Sequence, residues 1–215
     1  METPEELIAC RGQAVRGARI EMLDLRAREL GGTRFSDVVF RRVCFSQAGL
    51  GSTSFERLDA IACDLRSANL ANGRVMTSQF NGCDLAQLEA SGLTLRDSRL
   101  QECRLAGANF GGARWTGVTI TGGETAYIRM EKALLLRCRF EAPRLGGCPL
   151  MRAQFAGSFF IECDLRAANL YCADLRGAVF IRTDLSEACF EGADLTGAVF
   201  IDCRSDRTDW ADARG

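Results

Sequence analysis

Ala173-Asp174-Leu175-Arg176-Gly177 and, twenty residues on, Ala193-Asp194-Leu195-Thr196-Gly197 are two copies of one five-residue unit, and Cys163-Asp164-Leu165-Arg166-Ala167 is a third. The unit reads small, acidic, apolar, polar, small. Extending its register outward carries it along almost the whole chain without insertion or deletion. Of the 38 positions divisible by five from Val15 to Phe200, 35 hold Val, Ile, Leu, Met, Phe or Trp, and only Ala60, Ala90 and Thr125 depart. Random placement would put about 11 there. Twelve of the thirteen phenylalanines fall on these centres, Phe159 alone lying off them.

Two residues before each centre runs a second column, made mostly of small residues from Ala18 and Thr33 to Ala198 and Cys203. Asp or Asn recurs just before the centres and Gly two after. A period of five matches neither the helical 3.6 nor the strand 2. It needs a turn in every unit, so the backbone must coil about an axis, and its N–H and C=O groups find partners only in the next coil, about 4.8 Å away. Internal repetition of this kind predicts a solenoid with the centre and the small column inward.

The three quoted segments resemble the pentapeptide-repeat family, whose unit is a small residue, Asp or Asn, Leu or Phe, a polar residue and often Gly; the resemblance spans roughly residues 13 to 203. It implies an all-β, right-handed quadrilateral β-helix with four pentapeptides per coil and about ten coils. Positions twenty apart would then stack on one face.

Nothing in composition or charge divides the 215 residues, so one solenoid domain is expected over 1–215: an N-terminal cap at 1–12, repeats at 13–204 and a C-terminal cap or tail at 205–215. A solenoid needs its ends covered. Thr3-Pro4-Glu5-Glu6 supplies a capping threonine, a proline at the first helical position and a glutamate three after the cap, which predicts a short helical lid over residues 4–10. Trp210 falls on the register and is expected to cover the last coil. The stretch 121–150, with Gly122-Gly123, Thr125 at a centre, Ile128 in the small column, Pro143 and Pro149, is expected to kink or to pair poorly.

The chain has no histidine, which removes the commonest general base and transition-metal ligand. No phosphate-cradling loop is present, and the Asp positions are explained by turns. No enzyme, cofactor or metal is expected. Seven of the eleven cysteines, including Cys63, Cys83 and Cys103 in one column, lie in the small inward series and read as buried small residues, while Cys44, Cys172 and Cys189 point elsewhere. No apolar run is long enough to cross a membrane and acidic Glu5 and Glu6 stand where a signal peptide would be basic, so a cytoplasmic protein is expected.

Function is then expected from the faces. Phe159, Ile161, Val179, Ile181, Val199 and Ile201 flank centres 160, 180 and 200 and predict one apolar patch, with Tyr171 at its border. Such a patch suits a protein partner or a homodimer through the C-terminal coils. Arg34, Arg74, Arg96 and Arg114, with Arg57 and Arg137, form either a solvated face or an anion-facing strip. The family resemblance also brings bacterial proteins that imitate duplex DNA and protect DNA gyrase or topoisomerase IV from quinolones or toxins. A net charge of −1 and the arginine-bearing face fit that imitation poorly, and direct nucleic-acid binding is not expected. A protein-binding scaffold is the leading expectation, topoisomerase binding the alternative.

Overall fold

The computed structural model describes residues 3–215. Met1 and Glu2, the start of the expected cap, lie outside the described residues. The chain coils as an all-parallel β-solenoid of ten stacked coils, about nine turns from the first strand of its longer sheet to the last, with partners twenty residues apart throughout, such as Val15↔Phe35 and Phe180↔Phe200. Four pentapeptides therefore make one turn. On one face ten three-residue strands stack from Arg19–Glu21 to Val199–Ile201. On the face before it seven stack from Ala14–Arg16 to Leu134–Leu136. The remaining two faces, with centres 25 to 205 and 30 to 210, are built of turns joined coil to coil by single bridges.

What separates strand faces from turn faces is the residue before the centre. Asp or Asn stands there at eleven turn positions, and at all eleven its side chain accepts the N–H of the residue after the centre at 3.0–3.2 Å, as in Asp64 to Arg66, Asn109 to Gly111 and Asp174 to Arg176. That local bond competes with a strand and stabilises the turn. The strand faces carry Arg, Ser, Thr, Gln, Val or Phe in this place in most coils, Asp59 being an exception. The seven-strand face ends where the code changes: after Leu134 the equivalents are Gln154, Asp174 and Asp194, and the face continues as turns held by single bridges.

The bore is filled as the register requires. The centres are buried from Val15 to Leu195, and so is the small column apart from Ala18, Arg28 and Gly123; aromatic centres stack at the coil spacing, Phe140, Phe160, Phe180 and Phe200 lying nearly parallel with centroids 4.8–5.0 Å apart. Most small-column hydroxyls and thiols donate to the carbonyl of a centre 23 residues earlier, as do Thr53 to Leu30 at 3.3 Å, Cys63 to Phe40 at 3.5 Å, Ser158 to Leu135 at 2.8 Å and Thr183 to Phe160 at 3.0 Å, whereas Ser78, Ser98 and Cys138 donate to the carbonyl two residues before them. Buried polar groups are thereby satisfied. Among the described residues the indole N–H of Trp115, edge-on to Phe110, is the one buried side-chain polar atom without a partner.

Helix Pro4–Ile8 forms the lid, with Thr3 accepting the Glu6 N–H and Leu7 fully buried over the first coil. At the other end the ladder runs on through Asp184↔Arg204, Cys189↔Asp209 and Asp194↔Arg214. Residues 205–215 are thus part of the last coil and do not fold back as a tail, because Asp209 repeats the turn bond, to Ala211. Trp210 does not lie across the end; it occupies a centre, stacked on Phe190 at 4.6 Å and edge-on to Phe200.

The irregular stretch keeps register but loses rungs. Among the described residues no bridge joins Glu124 to Arg144 or Arg129 to Pro149. Pro149 lacks the N–H through which its equivalents Arg129 and Asn169 bond the preceding coil. Thr125, small for a centre, is accompanied by Ile128, large for its column, and both are fully buried. The Thr125 hydroxyl donates to the Arg144 carbonyl at 2.8 Å. Gly123, at φ +79, is wedged against the coil below, and a Cβ there would lie 2.1 Å from the Cys103 carbonyl oxygen.

Candidate functional site

The coil geometry sorts the outward side chains into ladders. On the ten-strand face, in-register pairing sets Phe159 beside Val179 and Val179 beside Val199, and Ile161 beside Ile181 and Ile181 beside Ile201. Two apolar columns therefore flank the stacked rings of Phe160, Phe180 and Phe200. Phe159, Val199 and Ile201 are about 40% exposed, and the other three are half-buried. The columns end abruptly towards the N-terminus, where Arg139 pairs with Glu141 and places its guanidinium 5.9 Å from the centre of the Phe159 ring. At the corner Arg182 binds Glu162 at 2.6 Å. An apolar centre with a polar rim is the composition of a protein interface.

Tyr171 does not border this patch. With twenty residues per turn it lies half a turn from both Ile161 and Ile181, on the opposite face, where its carbonyl accepts the Arg152 N–H. The sequence reading placed it by proximity in the chain, and the period places it across the rod. The period likewise predicts Phe200 as core, yet it is 40% exposed, because among the described residues no coil stacks on its outer side. With Leu185, Leu195 and Trp210 it lines a concavity of about 520 Å³ that continues the apolar columns onto the end of the rod.

The arginines of the seven-strand face fall into two sets. Arg57 binds Asp37 and Glu56, and Arg96 lies 3.4 Å from Asp97, all on the side of the strands after the centre. Arg34, Arg74 and Arg114 stand before the centre, exposed, and form no ion pair among the described residues. The strip expected from sequence is therefore not uniform: Arg96 is neutralised in place and stands across the strand from the other three.

Catalytic chemistry has little to draw on. The carboxylates of Asp64, Asp164 and Asp174 are held below their ordinary range first by hydrogen bonds from Arg66, Arg166 and Arg176. In the buried column the neighbouring thiol and burial push Cys63 and Cys83 up, Cys83 to about 12, while the Cys83 thiol beside it lowers Cys103. Burial, chiefly, takes Cys138 and Cys163 to about 12 and Cys148 to about 11, the Asp164 charge adding to it at Cys163 and Cys148. All eleven cysteines are free thiols, and Cys172 is the exposed one. Among the described residues a single group offers three metal-donor atoms within 4.8 Å, Cys189, Glu191 and Asp209. Asp209 already accepts the Ala211 N–H, and the set falls short of the four ligands of a structural zinc site.

Family models match in two parts: a pentapeptide repeat region over residues 29–110, and a model of eight pentapeptide repeats over 148–186 and again over 160–197. No curated protein matches. Among solved structures, HetL, a pentapeptide repeat protein involved in heterocyst differentiation regulation from the cyanobacterium Nostoc sp. strain PCC 7120, is similar over 100% of this chain and 94% of its own, with 21% identity and a TM-score of 0.79. Full-length QnrB1, a plasmid-mediated fluoroquinolone resistance protein, aligns over 91% of this chain and 92% of its own at 18% identity, with a TM-score of only 0.33. The repeat unit, the four-sided coil and the two family-model matches agree, and the chain belongs to the pentapeptide-repeat family.

Proposed function

We propose that this protein is a non-catalytic binding scaffold that engages a protein partner through the apolar columns of its last three coils. The observation that carries this reading is the juxtaposition of Phe159, Val179 and Val199 with Ile161, Ile181 and Ile201 in two in-register columns outside a bore that is already filled. Folding of the coils needs the inward phenylalanines and not these six side chains. Covering them would recover about 25 cal/mol per Å² of apolar surface removed from water. The rim of Arg139, Glu141, Glu162 and Arg182 would set orientation.

The charge layout favours this reading over imitation of duplex DNA. A mimic needs a continuous acidic surface, whereas the carboxylates of the turn faces are paired with arginines, as in Asp64 with Arg66 and Asp164 with Arg166. Topoisomerase binding is the alternative, reached through the same limited patch.

Ile181→Glu tests the proposal. The variant is expected to keep the circular dichroism of wild type and to melt within a few degrees of it, while losing self-association in light scattering or recovery of a co-purifying partner. Unchanged assembly and unchanged recovery would refute the interface. Protection of gyrase supercoiling by wild type and not by the variant would select the alternative partner.

A further inference from the structure

We infer that the seven-strand face is a docking strip for an extended acidic peptide in the polyproline II form, with a carboxylate at every third residue. The inference rests on the arginine ladder and is independent of the apolar columns.

Parallel pairing puts Arg34, Ser54, Arg74, Thr94 and Arg114 in one straight column, each directly beside the next. The column alternates a long cation with a short hydroxyl, Ser54 and Thr94 being half-buried between exposed guanidinium groups. On the other edge of the same strands Asp37 and Glu56 hold Arg57, and Asp97 holds Arg96. One edge is thus neutralised from within and the other is left cationic. Counting outward positions between residues 14 and 137, this face carries seven arginines and three carboxylates in a chain whose net charge is −1.

Spacing selects the ligand. Two coil steps separate successive arginines by about 9.6 Å, and three of them span about 19 Å. A polyproline II chain advances 3.1 Å per residue with three residues per turn, so carboxylates at i, i+3 and i+6 recur on one side every ~9.3 Å. Over two intervals the mismatch is about 0.6 Å, which flexible arginine side chains absorb. A β-strand laid along the rod presents same-side groups every ~6.7 Å. An α-helix returns to one side after seven residues, ~10.5 Å. The phosphates of a duplex strand step by ~3.4 Å while winding away from a flat face. The planar guanidinium takes a carboxylate through two parallel N–H bonds. A polyproline II backbone leaves its carbonyls unbonded, and the Ser54 and Thr94 hydroxyls stand between the arginines to donate to them.

The test is fluorescence anisotropy at low salt with the full chain and three labelled peptides of equal composition, each with three glutamates in a proline-rich background, spaced two, three or four residues apart. The three-residue spacing is expected to bind at least about fivefold more tightly than the others and to weaken as salt rises. Arg74→Gln and Arg114→Gln, both at exposed positions, are expected to weaken it about tenfold. Arg176→Gln, at a residue paired with Asp174 outside the strip, and Ile181→Glu are expected to leave it unchanged. Equal binding of the three spacings, indifference to Arg74→Gln, or tighter binding of a single-stranded oligonucleotide than of the matched peptide would overturn the inference. Because Ile181→Glu is included, its failure is separable from failure of the apolar interface.

Discussion

The first seven coils and the last three share one interior and differ almost wholly outside. Both stack Leu, Phe and small residues at the same pitch, from Phe35 on Phe55 to Phe180 on Phe200. The early coils present two strand faces, one bearing arginines that form no ion pair among the described residues. The late coils present one strand face with two apolar columns, and three faces of turns pinned by Asp164, Asn169 and Asp174. The inward residues thus set the fold, and the residue before each centre sets both the local backbone and the surface chemistry. Such separation lets a solenoid change its partners without repacking its core.

The junction between the two regions is where the comparison is most easily broken. Gly123→Ala would drive a methyl group into the Cys103 carbonyl of the coil below at a backbone angle that already disfavours side chains. We expect a loss of more than ~3 kcal/mol. Gly147→Ala, also at positive φ but with open space around the new Cβ, is expected to cost about 1 kcal/mol. Thermal melts of the pair decide the matter: equal losses would show that left-handed strain alone governs, and that the close approach of coils at Gly123 has no energetic weight.

Within the stacked phenylalanines the comparison sharpens. Phe180 is fully buried between Phe160 and Phe200, so Phe180→Ala should cost about 3–5 kcal/mol through the cavity it leaves. Phe200, exposed on its outer side, has only part of that to lose, and Phe200→Ala should cost about 1–2 kcal/mol. If the two variants melted alike, the last coil would be covered in solution by something that buries Phe200 as deeply as Phe180.

The period-five register made the fold, the four-sided coil and the inward column readable from residues alone, and it placed Phe159, Ile161, Val179, Ile181, Val199 and Ile201 on one face. The same arithmetic assigns Tyr171 to the opposite face, since ten residues are half a turn. Other features depended on distances between coils that no pattern within one coil encodes. Whether Arg74 stays free while Arg57 is neutralised depends on which neighbouring coil brings an acid, and Asp37 does so only for Arg57. The division of the face at Leu134 was legible in principle, because Asp174 and Asp194 announce turns where Arg74 and Arg114 announce strands.

The smallest expected effect concerns those aspartates and acid. Asp164, Asp174, Asp184 and Asp194 are all held below their ordinary range, chiefly by side-chain hydrogen bonds from Arg166, Arg176, Ser186 and Thr196. A folded-state value below the unfolded one, about 3.9, contributes stability that is complete above that pH and is lost as the pH falls through the folded value. The window therefore lies below about pH 4. It should tell more in the last coils, where four such groups crowd into three turns, than in the first seven, where Asp37, Asp64, Glu89 and Glu141 are spread out. Asp174→Asn separates charge from geometry. Asn69, Asn109 and Asn169 make the same turn bond, so the turn should survive and stability at pH 7 should fall by less than about 0.5 kcal/mol, the worth of an exposed ion pair with Arg176. Asp174→Ala removes the turn bond as well and should cost about 1 kcal/mol. Melting curves from pH 2 to 7 should show Asp174→Asn with a shallower acid decline than wild type. Were the decline unchanged, or were Asn as costly as Ala at neutral pH, the aspartate would matter here through something other than its hydrogen bond to Arg176.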